Sequence, residues 1–334
     1  NRGVWQHLMA DQVWRLDFQM APDADPAHVS RPDVARERVA AMLGPDTEFE
    51  LVWVGPYAYR TLLMEHFRHG RLLFIGDAAH AKSPFGARGG NSGITDADNL
   101  GWKLALLLAG RADEAILDTY HQERHRAAEE NIRVTSRSGR FMQPRSPNEF
   151  TLRTAVLQLA RRHAFARSLL NAGRMSAPHH YAGLLSFGPR PDDGRSLPNI
   201  ALSRTGAEVN LLDVLGEAGS ELVAFVFPRA DDPGAGHAAH AALSAALARE
   251  QLPARALLVG RDVSDTHGLL ARLSATPPGG VALVRPDAHL AAGLESHDAI
   301  ALVHAVRRTL GQATSSPSHD GDTHDPRHLV AAAG

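Results

Sequence analysis

The chain has 334 residues and not one cysteine. That excludes disulfides, thiolate metal sites and thiol redox chemistry. There is no run of about eighteen apolar residues, so no membrane-spanning helix is expected. No secretory leader is legible at a start that is Asn1 rather than methionine. Net charge is nearly absent as well, −2 formally at pH 7, which gives no reason to expect nucleic acid or an anionic membrane as partner. The cytoplasm is the expected compartment. What is present, 44% hydrophobic and 22% charged residues, is a globular composition long enough for two domains.

The most informative stretch is residues 71–102. Leu72, Leu73, Phe74 and Ile75 form an apolar run between Gly70 and Gly76, the pattern of a short strand buried on both faces. Asp77 then stands at the strand's carboxyl end, where open α/β sheets bind ligands, and its carboxylate can accept hydrogen bonds from a ligand hydroxyl. Residues 83–93 follow, with Pro84 fixing one φ angle and Gly86, Gly89, Gly90 and Gly93 allowing close backbone approach. From about Asn91 a helical period sets Ile94, Ala97, Gly101, Leu104, Ala105 and Leu108 on one face, with Asn91 or Ser92 as cap and Gly110 as terminator. A glycine-rich loop feeding a helix N-terminus favours negative charge. Gly101 inside the helix suggests that another backbone passes close to it. An ordinary strand–loop–helix unit with turn glycines is the alternative reading of the spacing.

The segment GRLLFIGDAAHAKSPFGARGGNSGITDADNLGWKLALLLAG, residues 70–110, resembles the second flavin-binding motif of the FAD-dependent aromatic hydroxylases. These are single-component flavoprotein monooxygenases typified by p-hydroxybenzoate, phenol and 3-(3-hydroxyphenyl)propionate hydroxylases. The resemblance implies that Asp77, with Gly76, contacts the ribityl chain of FAD, and that Pro84 lies beside the isoalloxazine ring and the substrate. It also implies that N–H groups of Gly90 and Asn91 point at the flavin N1–C2=O edge, with Gly86 and Gly89 in the same loop. It extends to Leu117-Asp118-Thr119-Tyr120-His121-Gln122-Glu123-Arg124, similar to the family's L-D-T-Y-x-x-E-R.

Two family motifs are missing. No G-x-G-x-x-G occurs, since the glycines at 86, 89, 90 and 93 have the wrong spacing and Arg88 stands where the second would be. The family's D-G-x-x-S-x-V-R is absent too, for Asp193-Gly194 and Asp320-Gly321 have neither its neighbours nor its position. The expectation is therefore a chain lacking the N-terminal part, beginning inside the substrate-binding sheet and holding FAD weakly as it stands.

Along the chain, residues 12–20 read as a strand, 32–43 as a helix capped by Gly44, and 50–59 as a strand weakened by Gly55-Pro56. Trp14, Arg15, Tyr57, Tyr59 and Phe85 are candidate substrate contacts, with plain core the alternative for the aromatic residues. A long charged helix runs to about Phe141. Its His121 and His125 share a face but lack a third ligand, so no metal is expected. Shorter helices over 149–159 and 164–171 precede a Pro/Gly-rich passage, 173–198, read as a linker. Beyond it come a helix (211–215), strands (222–227, 255–259, 281–284, 290–294) and helices (237–250, 268–274, 298–310). This mixture is similar to the thioredoxin-like C-terminal domain of phenol-hydroxylase-type members, to which R-P-D-A-H at 285–289 fits, here with structural work in domain packing or as a homodimer. The expected fold class is thus α/β: the C-terminal part of a Rossmann-like FAD-binding and substrate-sheet domain (1–172), then a cysteine-free thioredoxin-like α/β domain (199–312). A disordered tail (313–334) carries His319, His324 and His328.

The function implied by the resemblance is hydroxylation of a phenolic or other aromatic substrate with O2, FAD, and NADPH or NADH as transient reductant, through a flavin C4a-hydroperoxide. Pro84, Gly90 and Asn91 would position flavin and charge, with no protein acid or base identified. A hydrolase built on Asp77, His80 and Ser83 is disfavoured, because Ile94 stands where a nucleophile elbow around Ser92 needs glycine. The other readings are a monooxygenase of a polyketide or antibiotic ring, and a flavin-free interaction module.

Overall fold

The computed structural model describes residues 4–21, 23–44, 46–84, 87–144, 146–170, 177–229 and 231–312. The chain divides into two compact units at Arg60/Thr61. In the first, β1 (Val4–Leu8) and β2 (Trp14–Phe18) form an antiparallel hairpin with Val4 opposite Phe18 and Leu8 opposite Trp14. Helices α1 (Pro26–Val29) and α2 (Pro32–Leu43) follow, each with proline in its first turn, where a missing N–H costs nothing. Gly44, at φ 94°, ends α2 as expected. Residues 50–59 form no strand, contrary to the sequence reading. Pro56 removes a ladder donor, and the Trp53 ring folds over Gly55 into the space a side chain would take.

The second unit opens with two short antiparallel pairs, β3 (Leu62–Leu63) with β6 (His80–Ala81) and β4 (Arg68–His69) with β5 (Leu72–Leu73). The expected doubly buried strand over 72–75 is thereby corrected: only Leu72 and Leu73 pair, Leu72 is 66% exposed, and Ile75 is 41% exposed. A parallel central strand needs neighbours delivered by long crossovers, whereas these residues find local hairpin partners. Four helices follow, α3 (Gly89–Leu108), α4 (Ala115–Met142), α5 (Pro147–Ala160) and α6 (Ala164–Leu170). Ser146 caps α5 by accepting the Glu149 N–H at 3.2 Å.

The C-terminal layers begin with a hairpin that the sequence reading missed, β7 (Ala201–Arg204) and β8 (Ala207–Asn210), turned by Thr205 and Gly206 at φ 50° and 83°. Helix α7 (Leu211–Ala218) starts with a capping box between Asn210 and Asp213. The main sheet has four strands in the order β10 (Ala254–Leu258), β9 (Leu222–Val226), β11 (Val281–Val284), β12 (Leu290–Leu294). Strands β9 and β10 are parallel, and β11 runs antiparallel to both of its neighbours. Helix α8 (Pro233–Arg249) joins the parallel pair, α9 (Leu269–Leu273) leads to β11, and α10 (Ala299–Thr309) follows β12.

Alternation along these strands sorts two cores. Leu222, Ala224, Val226, Val281 and Leu283 pack with Leu243 and Leu247 of α8, with Leu302 and Val306 of α10, and on into Leu100 and Leu106 of α3 and Ile116 and Tyr120 of α4. Val223, Phe225, Ala282 and Val284 face Leu211, Val214 and Leu215 of α7 and Leu270 of α9. A sheet covered on both faces explains why its strands read as unbroken apolar runs. The described part of the expected linker, residues 177–198, is packed rather than free: Tyr181 and Phe187 are buried and stacked at 5.4 Å, and the buried Asp193 accepts the N–H groups of Arg190 and Gly293, each at 2.9 Å. The tail from 313 on, with its three histidines, lies outside the described residues. Among the described residues no helix is long and apolar enough to cross a membrane.

Candidate functional site

Helix α3 is turned the opposite way from its apolar pattern. Ile94 is 70% exposed and Leu108 83%, while Ser92, Asp96, Asn99 and Lys103 are buried beside Leu100, Trp102 and Leu106. The polar residues recur at intervals of four, three and four, so they share a face as regularly as the apolar set does. That periodicity was the available signal. Buried polar groups of this kind must be paired, and they are.

Asp96 is the hub nearest the Gly-Asp turn. Its Oδ2 accepts the Gly76 N–H at 2.9 Å and lies 2.7 Å from His80 Nε2, and its Oδ1 accepts from Arg124 Nε at 2.7 Å. Arg124 in turn donates to the Tyr181 hydroxyl at 2.6 Å. Burial alone would raise the Asp96 pKa, but the His80 hydrogen bond and Arg124 outweigh it and hold the carboxyl below its ordinary value. Gly76 has φ 58°, a left-handed conformation, and a Cβ placed on Gly93 would sit 3.3 Å from Gly76 Cα. The turn that presents Asp77 is thus bonded to α3 and in backbone contact with it.

A second hub lies further along the same face. Glu123 of α4 accepts two bonds from Arg285, at 3.0 and 2.8 Å, and further bonds from Lys103 at 3.0 Å, Asn99 at 2.7 Å and Ser186 at 3.1 Å. Asp287 accepts from Arg285 Nε at 2.9 Å and from Asn99 at 3.1 Å. The R-P-D-A-H turn between β11 and β12 therefore plugs into the helix pair 162 residues upstream. Burial raises the Glu123 pKa, yet Arg285 and Lys103 bring it down to about 2. Burial lowers Lys103 to about 8, against the pull of Glu123. The Arg285 guanidinium also lies over the rings of Phe187 and Trp102, at 4.7 and 5.1 Å.

The helix start differs from the expectation in detail. It begins at Gly89, with Arg88 as the N-cap residue and no side chain capping it. Asn91 turns its amide back to the Ala87 carbonyl at 2.8 Å, and Ser92 Oγ accepts from Asn131, so neither caps the helix. A Cβ added at Gly89 or Gly90 would meet nothing within 4 Å, and the N-cap side chain bonds none of the first-turn N–H groups. Gly101 also faces open space, and no backbone approaches it among the described residues.

The structure joins the Gly76–Asp77 turn to α3 through Gly93 and Asp96, in the helix that Gly89, Gly90 and Asn91 begin. Asp77 is exposed in its turn, and Pro84 is exposed at the head of the loop. Phe85 and Gly86 lie outside the described residues. Trp14, Arg15, Tyr57 and Tyr59 belong to the first unit. There Arg15 bonds Asp17 at 3.0 Å and lies 5.9 Å from the Tyr57 ring centre, with Trp14 56% and Tyr57 65% exposed. His80 directs its Nε2 to Asp96 at 2.7 Å, not to Asp77. No group among the described residues is arranged to hold a metal, and His121 instead accepts the Phe67 N–H at 3.3 Å. A cleft of about 770 Å3 lies elsewhere, between the α3–α4 connection and α8–β10. Its arginines are already paired, Arg111 and Arg255 with Glu221 and Arg307 with Glu250, each at 2.7 Å.

Known proteins resemble this chain in sequence and in fold. Residues 2–135 match the family described as "FAD binding domain". Across 293 residues the chain is 32% identical to a 4-methyl-5-nitrocatechol 5-monooxygenase of a Burkholderia species, covering 83% of this chain and 51% of that protein. It is 34% identical over 250 residues to a tetracenomycin B2 monooxygenase-dioxygenase of Streptomyces olivaceus, covering 74% of this chain and 43% of that one. The chain thus spans about half the length of the relatives it matches. In fold it is similar to the flavin-dependent monooxygenase PieE, solved with FAD and substrate, at a TM-score of 0.70 and 23% identity, covering 90% of this chain and 57% of that one.

Proposed function

We infer that this chain, a relative of the FAD-dependent aromatic and polyketide hydroxylases, carries the part of a flavoprotein monooxygenase site that grips the flavin's ribityl chain and ring edge. The observation that supports this most is the clamp of the Gly76–Asp77 turn to the start of α3 through Asp96 and Gly93. An exposed carboxylate beside an uncapped helix start suits a polyol chain leading to an electron-rich carbonyl edge. FAD, when bound, supplies the redox chemistry, drawing on NADPH or NADH and activating O2 for insertion of one oxygen atom into an aromatic ring.

The residues of this chain have narrower tasks. Asp77 holds ribityl hydroxyls. The N–H groups of Gly90 and Asn91 stabilise negative charge at the ring edge. Pro84 forms a wall beside the ring. Within the first unit, taken by itself, Trp14, Arg15, Tyr57 and Tyr59 offer aromatic and cationic surface of the kind an aromatic molecule uses. The C-terminal layers support a thioredoxin-like reading, because a parallel β-α-β pair followed by an antiparallel pair and a helix gives the strand order 2-1-3-4. Without cysteine their work is to seat Arg285 and Asp287 against α3 and α4.

The deciding experiment is the flavin content and visible spectrum of the whole protein expressed from its natural start. A yellow protein that bleaches on adding NADH or NADPH supports the reading, and Asp77→Ala should then lose FAD on gel filtration while remaining folded. A colourless protein that gains no spectrum with added FAD would overturn it in favour of a flavin-free interaction module. Unchanged flavin content in Asp77→Ala would count against the ribityl assignment alone.

A further inference from the structure

Two buried cationic side chains, Lys82 and Arg88, each have donors to spare. Lys82, directly after β6, is 8% exposed, and its ammonium has no hydrogen-bond partner. Arg88, at the start of α3, is also 8% exposed. Its Nη1 meets Asn131 Oδ1, but Nε and Nη2 have no partner. Between them the Ala87 N–H bonds the Pro84 carbonyl at 3.0 Å, and the charge of Arg88 acts on Lys82.

The groups that face Lys82 are Asp96 of α3, Arg124 of α4, Asp77 of the preceding turn and Arg88 itself. Glu130 of α4 faces Arg88 and is hydrogen-bonded to His179. Asp96 is already committed to Gly76, His80 and Arg124, and Asp77 is exposed. An ammonium buried without a hydrogen-bonding partner is costly, and a position needing only bulk would be served at less cost by an apolar side chain. Burial, opposed first by Asp96, pushes the Lys82 pKa down to about 8, so at neutral pH it is still mostly charged.

We propose that Lys82 and Arg88 form the cationic half of a subsite for an anionic oxygen group of a small molecule, presented at the base of the loop that Pro84 begins. The group is a carboxylate or phenolate if it comes from an aromatic substrate, and a phosphate if it comes from the cofactor. Arg88 offers a planar pair of donors and Lys82 a point charge, a combination suited to an anion with two or more acceptor oxygens. The proposal rests on reading this loop as part of the cofactor and substrate site, but its test requires no flavin.

The test is isothermal titration of the flavin-free protein with benzoate, inorganic phosphate and, as the neutral control, benzyl alcohol, at about pH 7 and about pH 9.5. Wild type should bind an anion at the lower pH and bind it more weakly at the higher, as the lysine loses its proton. Lys82→Met should weaken binding about tenfold or more at the lower pH, the range for one hydrogen bond to a charged group. Lys82→Arg should bind at both pH values, a rescue that a purely structural role would not produce, and it serves even where Lys82→Met fails to fold. Tighter benzoate assigns the subsite to an aromatic acid, and tighter phosphate assigns it to the cofactor. Failure of both anions to bind, or equal binding by wild type and Lys82→Met, overturns the proposal. Anion binding in a protein that never takes up FAD would sink the flavin reading alone, and FAD uptake without anion binding would sink this subsite alone.

Discussion

Asp96 of α3 accepts the backbone N–H of Gly76 at 2.9 Å, and through that one bond the helix fixes the turn that carries Asp77. The same carboxylate is held from behind by Arg124, which Tyr181 holds in turn. Four segments distant in sequence therefore converge on the presentation of one exposed carboxylate.

Removing the cation from this chain should be expensive. Arg124→Met leaves Asp96 buried with only a neutral donor and a histidine, and breaking a buried pair in this way typically costs about 3–5 kcal/mol. Tyr181→Phe, which deletes one hydrogen bond to a charged group, should cost about 1.5–3 kcal/mol. Urea midpoints at constant m-value would check both, and an Arg124→Met midpoint equal to wild type would remove Asp96 as the hub.

Gly93→Ala separates stability from site geometry. The helix gains about 1 kcal/mol of propensity, while the new Cβ lies 3.3 Å from Gly76 Cα and forces the turn a few tenths of an ångström away. Stability should therefore change little, and FAD retention by the whole protein should fall. Equal retention on gel filtration would show that the Gly76–Gly93 contact does not set the position of Asp77.

Gly101→Ala should stabilise the protein by about 1 kcal/mol, because the position is helical, exposed and open around its Cα. Thermal melting measures this directly. A lower Tm would mean that something covers Gly101 in solution.

Acid should weaken the fold in two steps. Burial lowers the pKa of His121, and burial lowers that of His179 to about 4, both against a usual value of 6.5. The unfolded chain then binds more protons below pH 6.5, so stability falls as the pH drops from there towards 4. The carboxyls of Glu123, at about 2, and of Asp96 and Asp287, also held low, are depressed relative to the unfolded chain. Their contribution, present above about pH 4.5, is lost below it. A Tm profile from pH 7.5 to 3 should show both arms, and His179→Asn should flatten the upper one.

The sequence made the C-terminal layers legible because their strands are short, apolar and punctuated by turns. Residues 281–284 and 290–294 fall where expected, and α2 and α4 do as well. It misled at residues 72–75 and 50–59, where a strand's partners, not its own pattern, decide whether it forms. It misled again on α3, because an apolar face at Ile94 and Leu108 outweighed the equally periodic Ser92, Asp96, Asn99 and Lys103. Which of two faces is buried depends on what the rest of the chain offers, and here it offers Arg124, Glu123, Arg285 and Asp287. The Gly-Asp turn and the glycine-led helix start were legible locally. Lys82 and Arg88 were not, since only burial reveals that their charges lack partners.

The plug of Arg285 into Glu123 has a consequence in time. A ribosome adding about 5–20 residues per second emits Glu123 and then needs roughly ten to thirty seconds to make the 162 residues up to Arg285. At the start of that interval the carboxylate has only Lys103 and Asn99 as partners within the chain, and Ser186 joins them 63 residues later. The helix pair that presents the Gly-Asp turn thus stays loosely seated during synthesis, and it locks only when nearly the whole chain has emerged.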